Sequence, residues 1–492
     1  MMRVAVCIYR SMKLTIPWFT SLCILFLIIS GCQEDIQQPE PEKKKLSSPP
    51  IENFDPVPSS TQLSWQDAEL VMFIHYGMNT MTGYRLGHGN EDPSLFNPTT
   101  IDVKGWASLA RVTGFQYVIF TAKHHDGFCL WPTKTTGFSI KKSPYKNGKG
   151  DLMREFADAC REAGLIPGFY ISPWDRNQPL YGTYAYNDFY LQQFRELLTG
   201  YGEMGEIWLD GFAGVAANGQ NKYFDWKRIM DAVENYQPHA LVSIMGPDIR
   251  WVGNETGLGN DTEWSAQEPR VGLHASIQTK VWWPSEADVS IRPGWFYYED
   301  ENLKVKTADE LVDLYLNTVG KNCNLLLNVP PRKDGSFHPK DVASLLHFRN
   351  EINIMFAHNL LAAAQIHVSD MRGSAEEYGP QLMTDINKET FWVTNQGIDT
   401  ATIEFRLPKK EKINLIRLEE AIRYGQRVKS FKVSALIDGV EQEIATGTTI
   451  GRSRILRFPD VLTDRIIIDI EDAHAPPAIR LIGAYYYPFI HE

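Results

Sequence analysis

The sequence predicts an α/β fold: a (β/α)8 TIM-like barrel followed by a C-terminal antiparallel β-sandwich. Three patterns predict it. Short, continuously apolar runs alternate with amphipathic helical stretches through the middle of the chain, as strands and helices do when a parallel sheet is covered on both faces. The apolar runs end in polar residues, and in such a barrel the strand ends carry the chemistry. After about Leu360 the apolar residues recur with period two, with turn residues between the segments.

The elements follow in chain order. Arg3, Arg10 and Lys13 precede the apolar run LCILFLIISGC, Leu22–Cys32. A charged start and a short apolar stretch make residues 1–31 a signal peptide, and the run is too short to span a membrane. The ending ISGC resembles a bacterial lipobox, whose cysteine is diacylated and becomes the first mature residue. The expectation is a lipoprotein anchored through Cys32 at a bacterial cell envelope, periplasmic or outer-surface, with no other membrane contact. An ordinary cleaved signal is the alternative. Residues 32–60 are polar and rich in Pro, Glu and Lys (QEDIQQPEPEKKKLSSPP), with little to bury, and are expected to form a flexible tether.

Residues 61–358 carry the barrel pattern. VMFIHYG (Val71–Gly77), QYVIFTAKHHDGF (Gln116–Phe128), IPGFYISPW (Ile166–Trp174), EIWLDGF (Glu206–Phe212) and ALVSIMGPD (Ala240–Asp248) read as strands running into polar ends. VWWPSE near Val281 and NLLLNVPP (Asn324–Pro331) complete the set. Helices are expected at Asp151–Leu165, Asn187–Gly202, Trp226–Tyr236 and Thr307–Gly320, where apolar residues fall three and four apart. A doubly wound open sheet is the rival, but no G-x-G-x-x-G follows the first strand and there is no P-loop. Residues 359–492 form the sandwich, from TIEFRL (Thr402–Leu407), SFKVSALID (Ser430–Asp438), RILRF (Arg454–Phe458) and RIIIDIED (Arg465–Asp472).

Composition narrows the function. A net charge of −11 argues against a nucleic-acid partner. Of six cysteines, Cys7 and Cys23 fall in the signal and Cys32 is the lipid site. Cys129, Cys160 and Cys323 remain, which is neither a disulfide framework nor a metal-ligand spacing. No cofactor or metal is called for.

The polar strand ends supply the candidate chemistry. His75, His124, His125, Tyr170, Asp210 and Arg250 would converge from five strands on one mouth. Adjacent histidines on a strand point to opposite sides, so His124 and His125 do not chelate one metal; beyond the strand end both could bond hydroxyls, or merely loop carbonyls. Asp210 follows the core residues Ile207, Trp208 and Leu209, and Gly211 after it allows close approach of a ligand. A turn-capping role is the plainer alternative. Glycoside hydrolysis needs a second carboxyl. Glu255 in DIRWVGNETG is one candidate, and Glu263 and Glu286 are rivals in loops of the same mouth.

FIHYG, KHHDGF, GFYISPWD, EIWLDG and NLLLNVPP, in this order and spacing, resemble the α-L-fucosidases of glycoside hydrolase family 29 over roughly Ser64 to Phe356. RWVGNE resembles the branch selective for α-1,3 and α-1,4 linkages in branched, Lewis-type glycans. The C-terminal segments TDINKETFWVTN and RLIGAYYYP are similar to discoidin-like domains. The resemblance implies an exo-acting, retaining enzyme with a fucosylated oligosaccharide as its partner. Asp210 would be the nucleophile and Glu255 the acid/base, with Arg250 helping to keep Asp210 charged. His75, His124, His125, Tyr170, Trp208 and Arg250 would line the fucose site, Phe73 would face the C6 methyl, and Trp131 and Trp295 are further matching positions. Many members carry a Glu-Trp pair that touches the sugar. Here VKGWASLA has Trp106 without the glutamate, in keeping with the linkage-selective branch. The alternatives are a barrel glycosidase for another sugar, such as an α-galactoside, and a surface glycan-binding lipoprotein with an inactive barrel.

Overall fold

The structure of the protein, a computed structural model, describes residues 49–211, 224–268 and 279–489. The signal peptide, Cys32 and the tether as far as residue 48 lie outside the described residues.

Eight parallel strands build the barrel. They are β1 (Leu70–Ile74), β2 (Tyr117–Lys123), β3 (Ile166–Ile171), β4 (Glu206–Leu209), β5 (Leu241–Ile244), β6 (Arg250–Trp251), β9 (Ser285–Ser290) and β10 (Cys323–Asn328). Between them β7 (Ala266–Gln267) and β8 (Val281–Trp282) make a small hairpin. The ladder runs β5-β4-β3-β2-β1-β10-β9-β6. It nearly closes where the Ile244 N–H donates to the Ile249 carbonyl at 3.2 Å. VWWPSE therefore belongs to β8 and the start of β9 rather than to one strand, and β6, only two residues long, has no apolar run to announce it.

Alternation along each strand sorts the side chains. Val71, Phe73, Ile119, Tyr170, Trp208 and Leu326 fill the barrel interior. Met72, Ile74, Val118, Phe120, Phe169, Ile207 and Leu209 face the surrounding helices. Those helices include α3 (Val103–Val112), α4 (Leu152–Glu162), α5 (Tyr184–Gly200), α6 (Trp226–Tyr236), α7 (Ala308–Thr318) and α8 (Pro339–Met355), with α1 (Ser60–Ala68) and the short α2 (Met78–Thr82) preceding them. Caps define their starts. Asp151 accepts from the Arg154 N–H at 3.0 Å, and Thr307 with Glu310 forms a capping box at α7.

The C-terminal region is antiparallel: β11 (Gln365–Val368), β12 (Trp392–Val393), β13 (Ala401–Glu420), β14 (Val428–Ile437), β15 (Val440–Gly447), β16 (Arg454–Ala473) and β17 (Ala478–Tyr485). The strands form one continuous hydrogen-bonded sheet in which the 20-residue β13 and β16 pair across register shifts between Arg406/Glu411 and Ile413/Leu415. Bulges of this kind bend a strand. They let the sheet enclose its own core of Ile403, Phe405, Leu418, Phe431, Ile466 and Ile468.

This domain is joined to the barrel by buried charge. Glu69, just before β1, is paired with Arg417 and Arg452, and Arg452 also meets Glu419 at 3.2 Å. Burial alone would raise the Glu69 carboxyl, but the two guanidiniums overcome it and hold it at about 2. The expected tether is shorter than its composition implied. The Phe54 N–H donates to the Tyr424 carbonyl at 2.9 Å, the Pro50 carbonyl accepts from Arg372 Nη1 at 3.1 Å, and Ile51 packs on the C-terminal domain. Backbone bonding and one apolar contact suffice to pin a segment whose average composition is polar.

Candidate active site

The C-terminal strand ends enclose a cavity of about 750 Å³. Phe73, His75, His124, His125, Tyr170, Trp208, Asp210, Glu255 and Trp295 all line it. Each arrives for a local reason. His75 follows β1 directly. Asn328, on the adjacent β10, donates through Nδ2 to Ser290 Oγ (2.9 Å) and to the Trp295 carbonyl (2.8 Å). Its Oδ1 is thus the acceptor for His75 Nδ1 at 2.8 Å, which leaves His75 Nε2 as the ring's acceptor.

His124 and His125 lie just past β2, where the chain turns and both rings reach the cavity, 4.1 Å apart at their centroids. Below them Lys123, fully buried, is paired with Asp175 at 3.1 Å and bonded to Gln193 Oε1 at 2.9 Å. Gly127 has φ +91°, and a Cβ there would stand 2.3 Å from Asp175 Oδ1, so this turn requires glycine. His125 Nδ1 lies 2.6 Å from Ser172 Oγ, and its Nε2 is 3.6 Å from Asp210 Oδ2. His124 Nδ1 is buried and has no hydrogen-bond partner among the described residues. Burial pushes His75 and His125 down to about 3 and His124 well below its ordinary value, so all three rings are neutral at ordinary pH.

Asp210 is the first residue past β4. Its Oδ2 accepts from the Tyr170 hydroxyl at 2.7 Å. Burial first, then the Asp210 charge, pushes that hydroxyl well above its ordinary value, so Tyr170 is a permanent donor. The Trp208 ring stands 5.4 Å from Phe73 and 5.5 Å from Tyr170, and its Nε1 donates to Glu286 Oε2 at 3.0 Å. Glu255 follows β6, is exposed, and lines the same cavity. The result is an aromatic pocket with neutral histidines and the carboxyls of Asp210, Glu255 and Asp288, the composition of a sugar site.

A family model for α-L-fucosidases matches residues 90–350, more than half of the chain. The chain belongs to the α-L-fucosidases, glycoside hydrolase family 29. It is 39% identical over 451 residues to Alpha-L-fucosidase 1 of Arabidopsis thaliana, covering 88% of each chain. A crystal structure of a putative α-L-fucosidase from Bacteroides thetaiotaomicron superimposes with TM-score 0.83 at 34% identity, over 89% of this chain and 99% of that one. A Ruminococcus gnavus fucosidase of family 29, solved with fucose, matches with TM-score 0.83 at 31% identity, over 90% and 98%. These solved relatives share the architecture of a (β/α)8 barrel with an appended β domain.

Within this fucosidase barrel, four sequence expectations change. Arg250 does not line the cavity: its guanidinium pairs with Glu263, away from Asp210. Arg250 and Trp251 are neighbours on β6 and must face opposite ways; Trp251 takes the cavity side. Trp131 is buried, and its Nε1 donates to Glu196 Oε2 at 2.8 Å, so it packs the barrel wall instead. Glu263 and Glu286 are not mouth residues. Glu263 serves Arg250 and Asn260, while Glu286 lies inside the barrel on β9 beneath Trp208, its carboxyl raised by burial and by the neighbouring Glu206. Trp106 is also buried, donating to the Gly335 carbonyl at 2.8 Å, and takes no part in the cavity.

Trp251, Asp288, Arg85, Leu86 and Tyr298 line the cavity without having been singled out. Asp288 had a readable signal. In SEADVS the residues Glu286, Asp288 and Ser290 alternate with Ala287 and Val289, the pattern of a barrel strand with a polar inner face.

Proposed function

We propose that the chain is an exo-acting, retaining α-L-fucosidase that removes α-1,3- and α-1,4-linked fucose from branched, Lewis-type oligosaccharides and glycoconjugates. The observation that carries this reading is the pair Asp210 and Glu255 on one 750 Å³ aromatic cavity in a family 29 barrel. In the first step Asp210 attacks the anomeric carbon as the glycosidic bond breaks, and Glu255 delivers its proton to the departing oxygen. In the second Glu255 takes a proton from water, which displaces Asp210 and frees fucose. Neutral His75, His124 and His125 offer donors and acceptors to the sugar hydroxyls without adding charge beside the nucleophile, and Phe73 faces the C6 methyl. The resemblance of RWVGNE to the linkage-selective branch supports the linkage preference, and Trp251 and Glu255 of that motif both line the cavity.

Asp210→Ala and Asp210→Asn should abolish nearly all turnover. Retention of more than about 5% of wild-type kcat would remove Asp210 as nucleophile. Glu255→Ala should regain activity with azide, releasing α-fucosyl azide, because azide displaces Asp210 from the face that water would take. Product analysis on α-1,2, α-1,3, α-1,4 and α-1,6 fucosylated oligosaccharides tests the linkage, and preference for α-1,2 or α-1,6 would overturn it. We also propose that Cys32 carries a lipid at the cell envelope, which labelling with a fatty-acid analogue in wild type and Cys32→Ala would decide.

A further inference from the structure

A third carboxyl stands on the catalytic cavity. Asp288 points inward from β9, is 3% exposed, and lines the same space as Asp210 and Glu255. Its Oδ1 accepts from the Trp251 indole Nε1 at 2.7 Å. Trp251 sits four residues before Glu255, on a strand with just two ladder pairs, Arg250 with Ser285 and Trp251 with Glu286. The Val252 N–H adds one bond to the Glu286 carbonyl at 2.9 Å. Downstream of Glu255, the Gly257 carbonyl accepts from Thr318 and the Gly259 N–H donates to the Asn317 carbonyl at 2.9 Å. The loop bearing the acid/base is thus clamped on both sides, and the upstream clamp includes a buried carboxyl bonded to an aromatic ring.

We propose that Asp288 is a positioning residue for acid catalysis: it fixes the Trp251 ring, and through it the reach of Glu255 to the leaving-group oxygen. The proposal rests on the assignment of Glu255 as acid/base. The groups facing Asp288 are Glu255, Asp210, Glu286 on its own strand and, from β10, Cys323; its charge helps to raise both Glu286 and the Cys323 thiol. Burial, then the charges of Glu255 and Asp210, push Asp288 up to about 7, against the Trp251 bond that pulls it down. In acidic solution Asp288 therefore anchors Trp251 mostly without adding a second negative charge, beside that of Asp210, to a cavity where Glu255 must keep its proton.

Leaving-group dependence separates this role from a general structural one. A glycan leaving group needs a proton from Glu255, whereas an activated aryl leaving group departs without one. Asp288→Ala should lower kcat/KM on an α-1,3/4-fucosylated oligosaccharide about tenfold or more, and on 2-chloro-4-nitrophenyl α-L-fucoside by less than about threefold. Asp288→Asn, whose amide oxygen still accepts the indole N–H, should keep oligosaccharide activity within about threefold at pH 5–6. Trp251→Phe leaves Asp288 in place and removes the N–H, and should reproduce the Asp288→Ala split even if that variant folds poorly. Equal losses on both substrates, no loss on either, or failure of the Asn variant to restore activity would overturn the proposal. Wild type that releases no fucose, or an Asp210→Ala variant that does, would instead sink the functional reading beneath it.

Discussion

Removing one oxygen from Tyr170 probes Asp210, the proposed nucleophile, most directly. The Tyr170 hydroxyl donates to Asp210 Oδ2 at 2.7 Å from a ring only 1% exposed. Phenylalanine fits the same space between Phe73, His124 and Trp208, whose ring centroids lie 5.8, 5.8 and 5.5 Å away. A hydrogen bond to a charged group contributes about 1.5–3 kcal/mol. At about 1.4 kcal/mol per pH unit, its loss disfavours the Asp210 anion by about 1–2 units. The acid limb of kcat/KM should therefore move toward neutral pH by that amount, a loss of about 10- to 150-fold at pH values on the limb. The plateau should change less, because the carboxylate gives up its charge on attack. His125 does not compensate: its ring is neutral at these pH values and 3.6 Å distant. The assay is kcat/KM on an aryl α-L-fucoside from about pH 3.5 to 8, with Tm recorded for each protein. An unmoved limb, or an equal loss at every pH, would refute the reasoning, the second because it signals a displaced carboxylate.

Other expectations are quicker to state. Arg292→Ala should destabilise the fold by about 3–5 kcal/mol in denaturant melts, because it strands the buried Asp341 that Arg292 Nε holds at 2.9 Å; a cost under about 1 kcal/mol would mean that water replaces the guanidinium. Asp126 is held near 8 by burial and then by the Glu91 charge, against an unfolded value near 4. The unfolded chain therefore loses that proton first, and the stabilisation is present below pH 4 and lost from 4 to 8. Asp126→Asn should flatten the decline of Tm over that window, and an unchanged slope would exclude Asp126 as its source. His75 has the opposite sign. Held at about 3 against about 6.5 unfolded, it stabilises fully above 6.5 and the effect is lost between 6.5 and 3, so His75→Gln should shallow the acid-side fall in Tm. Phe73→Leu should lower the fucoside-to-galactoside ratio of kcat/KM by about tenfold, and an unchanged ratio would show that methyl recognition lies elsewhere.

Much of this was legible in the chain. The apolar runs located β1 to β5 and β10, because a strand buried on both faces has to be continuously apolar. Asp210 stood out because a carboxylate ends such a run. Legibility failed where polar side chains face the barrel interior. Glu286 on β9 looked like a loop residue, its neighbour Asp288 went unremarked, and Arg250 and Trp251 could not be assigned to faces without the register that pairs them with Ser285 and Glu286.

By itself the sequence determined the strands β1 to β5 and β10 with helices between them, the change to an antiparallel domain and the family, since all are written in local periodicity and in motifs a few residues long. The tertiary structure decided which side chains meet. Strand register turned Trp251 toward the cavity and Arg250 toward Glu263, placed Tyr170 on Asp210, and brought Asp288 from β9 to the wall that holds Glu255. Such distances depend on closing a ring of eight strands, and a contact made by closure leaves no mark in the spacing of residues along the chain.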